Sequence, residues 1–197
     1  FIERRMWNYA YLNSGLSIIY NGNEYVSENG LLDLLNSEIE GESLYSLGYY
    51  KGKQLEFSFS HSNAYGENYF SFVNGQHTND GGTHQAAFRE AIANALIHRV
   101  WDVDSQIRVL MFDDKIEVIS PGGLPSGITA EEYLSGKLSV LRNRNLANVF
   151  YRLGFVEIFG TGITRIKQLY AEGLMKPDFE VSDNAIKSVL PLFYKSA

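Results

Sequence analysis

The sequence predicts an α+β fold whose second half is an α/β sandwich. Three observations predict it. Residues 85–101 (QAAFREAIANALIHRVW) repeat Phe88, Ala91, Ile92, Ala95 and Leu96 at helical spacing, which gives one apolar stripe. The runs at 54–63, 68–75, 107–113 and 115–120 alternate apolar with polar residues, as half-buried strands do. Glycine- and proline-bearing turns separate these runs. Mixed strands with helices on one face then bury their apolar sides as a sandwich.

Taken in order, FIERRMWNYAYLN reads as a helix and LSIIYNG as a strand, with Gly22 in the turn and 24–26 extending a hairpin. In ENGLLDLLNSEI, Leu31, Leu32, Leu34 and Leu35 crowd onto one short helix. Strands follow at 47–53, 54–63 and 68–75, the last two joined by a hairpin loop at 63–66. A polar loop at 76–84 leads to the long helix. There Gly81 and Gly82 allow positive φ, and Thr83 is placed to cap. Beyond the helix, QIRVLMFDD and KIEVIS form a hairpin around 113–115, and SPGGLP ends its second strand. Thr129-x-x-Glu132 is a capping box. Leu146, Val149, Phe150 and Leu153 mark a helix ended by Gly154. Ile163, Ile166, Leu169 and Tyr170 mark another, and a strand at 187–193 closes the sheet. The strand LSIIYNG is a candidate to complete that sheet.

The chain has 197 residues, 45% hydrophobic and 20% charged, so one large or two small domains are expected. We divide it into 1–84 and 85–197. Phe1 in place of Met leads us to expect a piece of a longer protein. There is no Cys, which excludes disulfides and thiolate metal sites and fits a reducing, cytoplasmic compartment. No apolar run approaches the roughly 18–20 residues of a membrane span, and no signal peptide is visible, so no membrane partner is expected. A formal net charge of −6 argues against non-specific DNA binding by the whole surface. His61, His77 and His84 lack zinc-site spacing, and neither a Walker A loop nor a G-x-S-x-G elbow is present.

One row on the long helix asks for a chemical reading. Glu90, Asn94 and His98 stand at i, i+4 and i+8, within one sector of the helix. They form either a solvated polar face or a site. His98 is read either as a phosphate contact or as a satisfied core histidine.

Glu90-x-x-x-Asn94, followed by strands and glycine loops, resembles the first nucleotide-binding box of the GHKL ATPases. That superfamily includes the type II topoisomerase ATPase domains, Hsp90, MutL and histidine kinases, and its fold is the Bergerat sandwich. The resemblance implies Mg-ATP, with Glu90 polarising the attacking water and the Asn94 carbonyl on Mg²⁺. It also implies Gly122 and Gly123 beside the adenine, and Gly160, Thr161 and Gly162 at the phosphates. Arg142, Asn143 and Arg144 lie between the two glycine loops, where they either meet phosphate or are solvated. Ser120 and Pro121 stand where most of these ATPases carry an Asp that accepts the adenine amino group. Serine is neutral and shorter, and a lost charge-assisted contact costs about 1.5–3 kcal/mol.

Two finer resemblances divide the chain. LNSGLSI, SENGLLDLL and FVNGQHTNDGGTH, over about residues 5–90, resemble the B subunit of bacterial type II topoisomerases where the ATP domain ends and the transducer begins. No Q-T-K sequence follows, so the lysine by which that transducer reaches the γ-phosphate is not matched. From about residue 88 to 195, REAIANALIHR, IRVLMFDDKIEVISPGGLPSGIT and YLSGKLSVLRNRNLANVFYRLGFVEIFGTGITRI resemble the GHKL-like C-terminal domain of RecG-related regulators and helicase-related proteins. Together they imply an ATP-binding module of a DNA-topology or DNA-regulatory protein. Nucleotide would close a lid and favour a homodimer, and DNA would be met only indirectly or through domains outside this chain. The alternative is a regulatory or protein-interaction domain that keeps the fold without efficient ATP use.

Overall fold

The computed structural model describes residues 1–39, 43–52, 55–64, 68–73, 75–78, 81–136, 138–156 and 161–192. The chain forms two compact units, Phe1–Thr78 and Asn79–Ala197. Both mix helices with antiparallel strands, so the α+β class expected from the sequence is the observed one.

In the first unit, α1 (Ile2–Leu12) precedes a hairpin of β1 (Ile18–Tyr20) and β2 (Asn23–Tyr25). Its loop is Asn21-Gly22, with φ of 51° and 78°, the double left-handed geometry that suits the strand twist. Trp7 stacks on Tyr11 and meets the ring of the buried Tyr25 edge-on, each at 5.4 Å between centroids. Next come α2 (Leu31–Glu38) and the pair β3 (Gly48–Lys51) and β4 (Glu56–Phe59). The Leu31 N–H at the start of α2 donates to the Glu56 carboxylate (3.3 Å), as does the Tyr49 hydroxyl (2.9 Å). Last is the short pair β5 (Phe72–Val73) and β6 (Gln76–His77).

Two expectations are corrected here. The strand within 54–63 pairs with β3, and Phe72–Val73 pairs with β6, so the two do not form one hairpin. The inferred loop at 63–66 lies partly outside the described residues. The strand β1 pairs with β2 in its own two-stranded sheet and does not complete the sheet of the second half. Its local partner is supplied by the Asn-Gly turn.

The second unit is built on α3 (Gly82–His98) and a four-stranded antiparallel sheet in the order β7-β8-β10-β9. The strands are β7 (Arg108–Met111), β8 (Lys115–Pro121), β9 (Asp178–Val181) and β10 (Ala185–Pro191). Three short helices join them: α4 (Ala130–Ser135), α5 (Arg144–Arg152) and α6 (Gly162–Leu169). In β8 and β10 the buried residues Ile116, Val118 and Ser120 lie opposite Leu190, Ser188 and Ile186. α3 packs on these two strands and against α5 and α6. The opposite face carries an ion-pair ladder, in which Lys115 and Lys187 flank Glu117 at 2.7 and 4.0 Å and Lys187 also reaches Glu180 at 2.7 Å.

The central helix begins three residues earlier than its apolar repeat suggests and ends three earlier. It starts at Gly81 and Gly82, both with positive φ, so Thr83 lies inside the helix and does not cap it. It stops at His98 because Arg99 turns extended and the Val100 N–H donates to the Pro121 carbonyl. Burial surrounds it. Ala87, Ala91, Ala93, Ala95 and Ile97 are buried, and so are Glu90 and His98 of the polar row, which is therefore no solvated face. The strand β9, hidden in a short Asp-Phe-Glu-Val run, was not foreseen. The closing strand starts at Ala185, and Phe193 lies outside the described residues.

The capping box is present, with the Glu132 N–H donating to Thr129 Oγ1 and the Thr129 N–H to the Glu132 carboxylate. Gly154 ends the α5 segment at φ 71°. The stripe inferred for α5 is only half right. Val149 and Leu153 are exposed, and Ala147 is the side chain that packs against Ala93, Ile97 and Val156. In α6, Ile163 and Ile166 are buried as the spacing requires, and Tyr170 follows them inward. Truncating Ile166, which is fully buried, to Ala is expected to cost about 2–5 kcal/mol in urea unfolding. Truncating Val149, an equally apolar residue of the inferred stripe, is expected to change stability by no more than about 0.5 kcal/mol.

Candidate functional site

The polar row of α3 faces inward. Glu90, Asn94 and His98 line one cavity, closed from the other side by Tyr133 of α4, Leu141 and Gly162 at the start of α6. Its volume is about 30 Å³. A water needs about 10–15 Å³ by this measure, whereas sites for small organic ligands run to about 300–1,000 Å³. In this conformation the cavity holds water-sized groups only.

Asn94 and Gly162 meet closely, since a β-carbon on Gly162 would overlap all three atoms of the Asn94 amide group. Glycine at 162 is therefore what lets α6 begin against the amide. Thr161 is the N-cap residue of α6, and its side chain makes no capping bond to the helix. The Glu90 Oε2 lies 3.8 Å from Arg165 Nε, one turn into α6. Gly160 falls outside the described residues.

The residues inferred for the base end are bonded within the protein. The Ser120 hydroxyl donates to the Ala95 carbonyl at 2.7 Å and is buried. Gly122, at φ 99°, lies where a side chain would run into Val100, and its N–H donates to the Asn184 carbonyl. Gly123 is pressed against the backbone of Ser182 and Asp183 in the β9–β10 turn. Arg142 donates to the His98 carbonyl (2.7 Å) and the Gly123 carbonyl (2.9 Å). The Asn143 amide donates to the carbonyls of Ile97 (2.7 Å), Arg99 (3.0 Å) and Leu96 (3.4 Å). In this structure Arg142 and Asn143 both bond to main-chain carbonyls. They close the carboxyl end of α3, whose last carbonyls have no partner within the helix.

Sequence reasoning missed Tyr133 and Arg165. The capping box signalled the helix that carries Tyr133 but not which way its ring turns. Arg165 sits on the polar side of a helix read for its apolar stripe, and its meeting with Glu90 joins residues 75 positions apart. Neither pairing leaves a local pattern.

His98 is set by burial. Desolvation, helped by the nearby Arg142 charge, pushes its imidazole down to about 4 from 6.5. It is neutral at pH 7, meets Tyr133 edge-on at 6.1 Å, and leaves its buried Nδ1 without a hydrogen-bond partner among the described residues. The unfolded chain takes up this proton below about pH 6.5 and the folded one only near 4, so folding stability falls as pH drops between the two. Replacing His98 by Gln is expected to flatten that part of the stability–pH curve measured by urea unfolding. An unchanged slope would remove His98 as its source.

Comparison with known proteins divides the chain in two. Residues 104–190 match the family model described as "Putative ATP-dependent DNA helicase recG C-terminal", and residues 21–105 match that of DNA gyrase B. The two meet just after α3 rather than near residue 88, so Glu90, Asn94 and His98 stand in the stretch matched to gyrase B. The B subunit of DNA topoisomerase 4 from Borreliella burgdorferi is 60% identical over 97 residues, which is 49% of this chain and 16% of that protein. The B subunit of DNA gyrase from Helicobacter pylori is 28% identical over 111 residues, 50% of this chain and 14% of that one. This chain thus spans about one-sixth or less of these two relatives. The crystal structure of the DIP2311 protein from Corynebacterium diphtheriae aligns over 54% of this chain and 23% of its own, at 34% identity and a TM-score of 0.49. The chain joins a region similar to the B subunits of type II topoisomerases to one similar to the RecG C-terminal family.

Proposed function

We propose that the second unit is a GHKL-type ATP-binding module of a DNA-topology or DNA-regulatory protein, with slow hydrolysis tied to lid closure or dimerisation. The observation that carries this reading is the convergence of Glu90, Asn94 and the glycine start of α6 on one cavity. The donor set fits the metal and phosphate end. Asn94 offers a hard oxygen, and α6 begins at Gly162 directly against its amide. Mg²⁺ would enter with the phosphates. Bound Mg²⁺ would neutralise phosphate charge. Glu90 would orient the water and take its proton on a carboxylate oxygen, while Arg165 holds that carboxylate in place. Tyr133 and the residues after it would have to leave α3 to admit the nucleotide, and their return would exclude water.

A second reading has its own observation. The base end is occupied by the protein itself, through Ser120, Gly122, Gly123 and Arg142. On this reading the fold serves as a regulatory or protein-interaction scaffold without efficient ATP use.

Thermal unfolding separates the two. A ligand at about 100 times its Kd stabilises the native state by about 2.7 kcal/mol. Saturating Mg-ATP is expected to raise the melting temperature of the chain by several degrees, and Asn94→Ala to abolish the rise. Glu90→Gln is expected to keep the rise and lose turnover. A melting temperature that Mg-ATP leaves unmoved would favour the scaffold.

A further inference from the structure

A second hollow, outside the cavity on α3, opens between the loop after α3 and the start of α5. It is open to solvent, spans about 550 Å³ and is lined by Trp101, Arg142, Arg144 and Asn145 together with Leu141 and Leu146. That volume lies within the about 300–1,000 Å³ of small-ligand sites.

The chemistry of the lining is specific. Trp101 is 51% exposed. The Arg99 guanidinium lies 4.4 Å from the ring centre and covers one face. Arg99 is itself tied by a bond to the Ser105 carbonyl at 2.9 Å. Arg142 is fixed by its two carbonyl bonds and brings a full positive charge to the hollow, with no carboxylate partner among the described residues. Arg144 is exposed and likewise unpaired among the described residues, and the first turn of α5 holds no acidic side chain. A flat apolar ring beside these two guanidinium groups suits a ligand that joins an aromatic plane to an anion. Asn145 adds an exposed amide that can donate to a ring carbonyl or accept from a ring N–H.

We propose that this hollow binds a nucleotide unit of a single-stranded nucleic acid, the base stacked on Trp101 and the phosphate held by Arg144 and Arg142. The site adjoins the α3 cavity, with Leu141 lining both, and the proposal does not rest on ATP binding there. A free nucleoside monophosphate offers the same chemistry, and the test tells the two sources apart.

The test is fluorescence polarisation of a labelled oligothymidylate 12-mer with the full chain at low salt. Thymine avoids any demand for adenine recognition. Saturable binding is expected. Trp101→Ala and Arg144→Ala are each expected to weaken it about tenfold or more, within the range of one stacked base or one phosphate contact. Arg152→Ala, an exposed charge at the far end of α5, is expected to change it less than about twofold. All three side chains are exposed or half-exposed, so urea unfolding is expected to confirm that the variants fold. Thymidine monophosphate that displaces the oligomer at micromolar concentration identifies a free nucleotide as the ligand. Failure to displace it identifies the strand. Absence of saturable binding overturns the proposal. So does an Arg152→Ala loss equal to that of Arg144→Ala, or displacement by inorganic phosphate as potent as by the monophosphate.

Discussion

The bonds from Asn143 to the carboxyl end of α3 are the constraint on which the second unit depends. One amide serves the carbonyls of Leu96, Ile97 and Arg99, and the Asn143 backbone N–H also donates to Ile97. Each such bond contributes about 0.5–1.5 kcal/mol net, and an unpaired buried carbonyl costs more than that. The same residue is the N-cap of α5, so the end of one helix and the start of another are fixed together. Arg142, its neighbour, ties the last carbonyl of α3 to the glycine loop after β8. α3 is thereby held at a defined depth against β8 and β10. That depth turns Glu90, Asn94 and His98 toward α6 instead of toward water.

A buried polar row needs compensation, and the fold supplies it unevenly. Glu90 has Arg165 beside it, and Asn94 has the open backbone of Gly162. His98 is compensated by losing its charge, and its Nδ1 remains without a partner among the described residues. An orphaned buried nitrogen beside a cavity of about 30 Å³ leaves room for an ordered water. The tight packing of Tyr133 over it shows why the cavity is small.

Much of the fold was legible in the sequence because its signals are local. Asn21-Gly22 dictates a hairpin, Thr129 and Glu132 make a capping box, and Gly154 ends a helix, each by chemistry within four residues. The Glu90–Asn94–His98 row was legible because helical spacing alone stacks it. What escaped depends on distant partners. Val149 and Leu153 fit an apolar stripe, but the neighbour available to α5 is the small surface of Ala93 and Ile97, which Ala147 fills. Ser120, Arg142 and Asn143 are polar residues in a glycine-rich setting that suits phosphate. Nothing local says that α3 would present them with unpaired carbonyls.

We propose that a nucleotide enters the α3 cavity only when α4 moves away. Amide hydrogen exchange with and without Mg-ATP tests it most directly, because local opening is read segment by segment. The account predicts that the α4 amides now bonded to Thr129 and Tyr133 exchange faster in the nucleotide-bound protein, while those of α3 exchange no faster. Bound nucleotide with α4 protection unchanged or increased would contradict it.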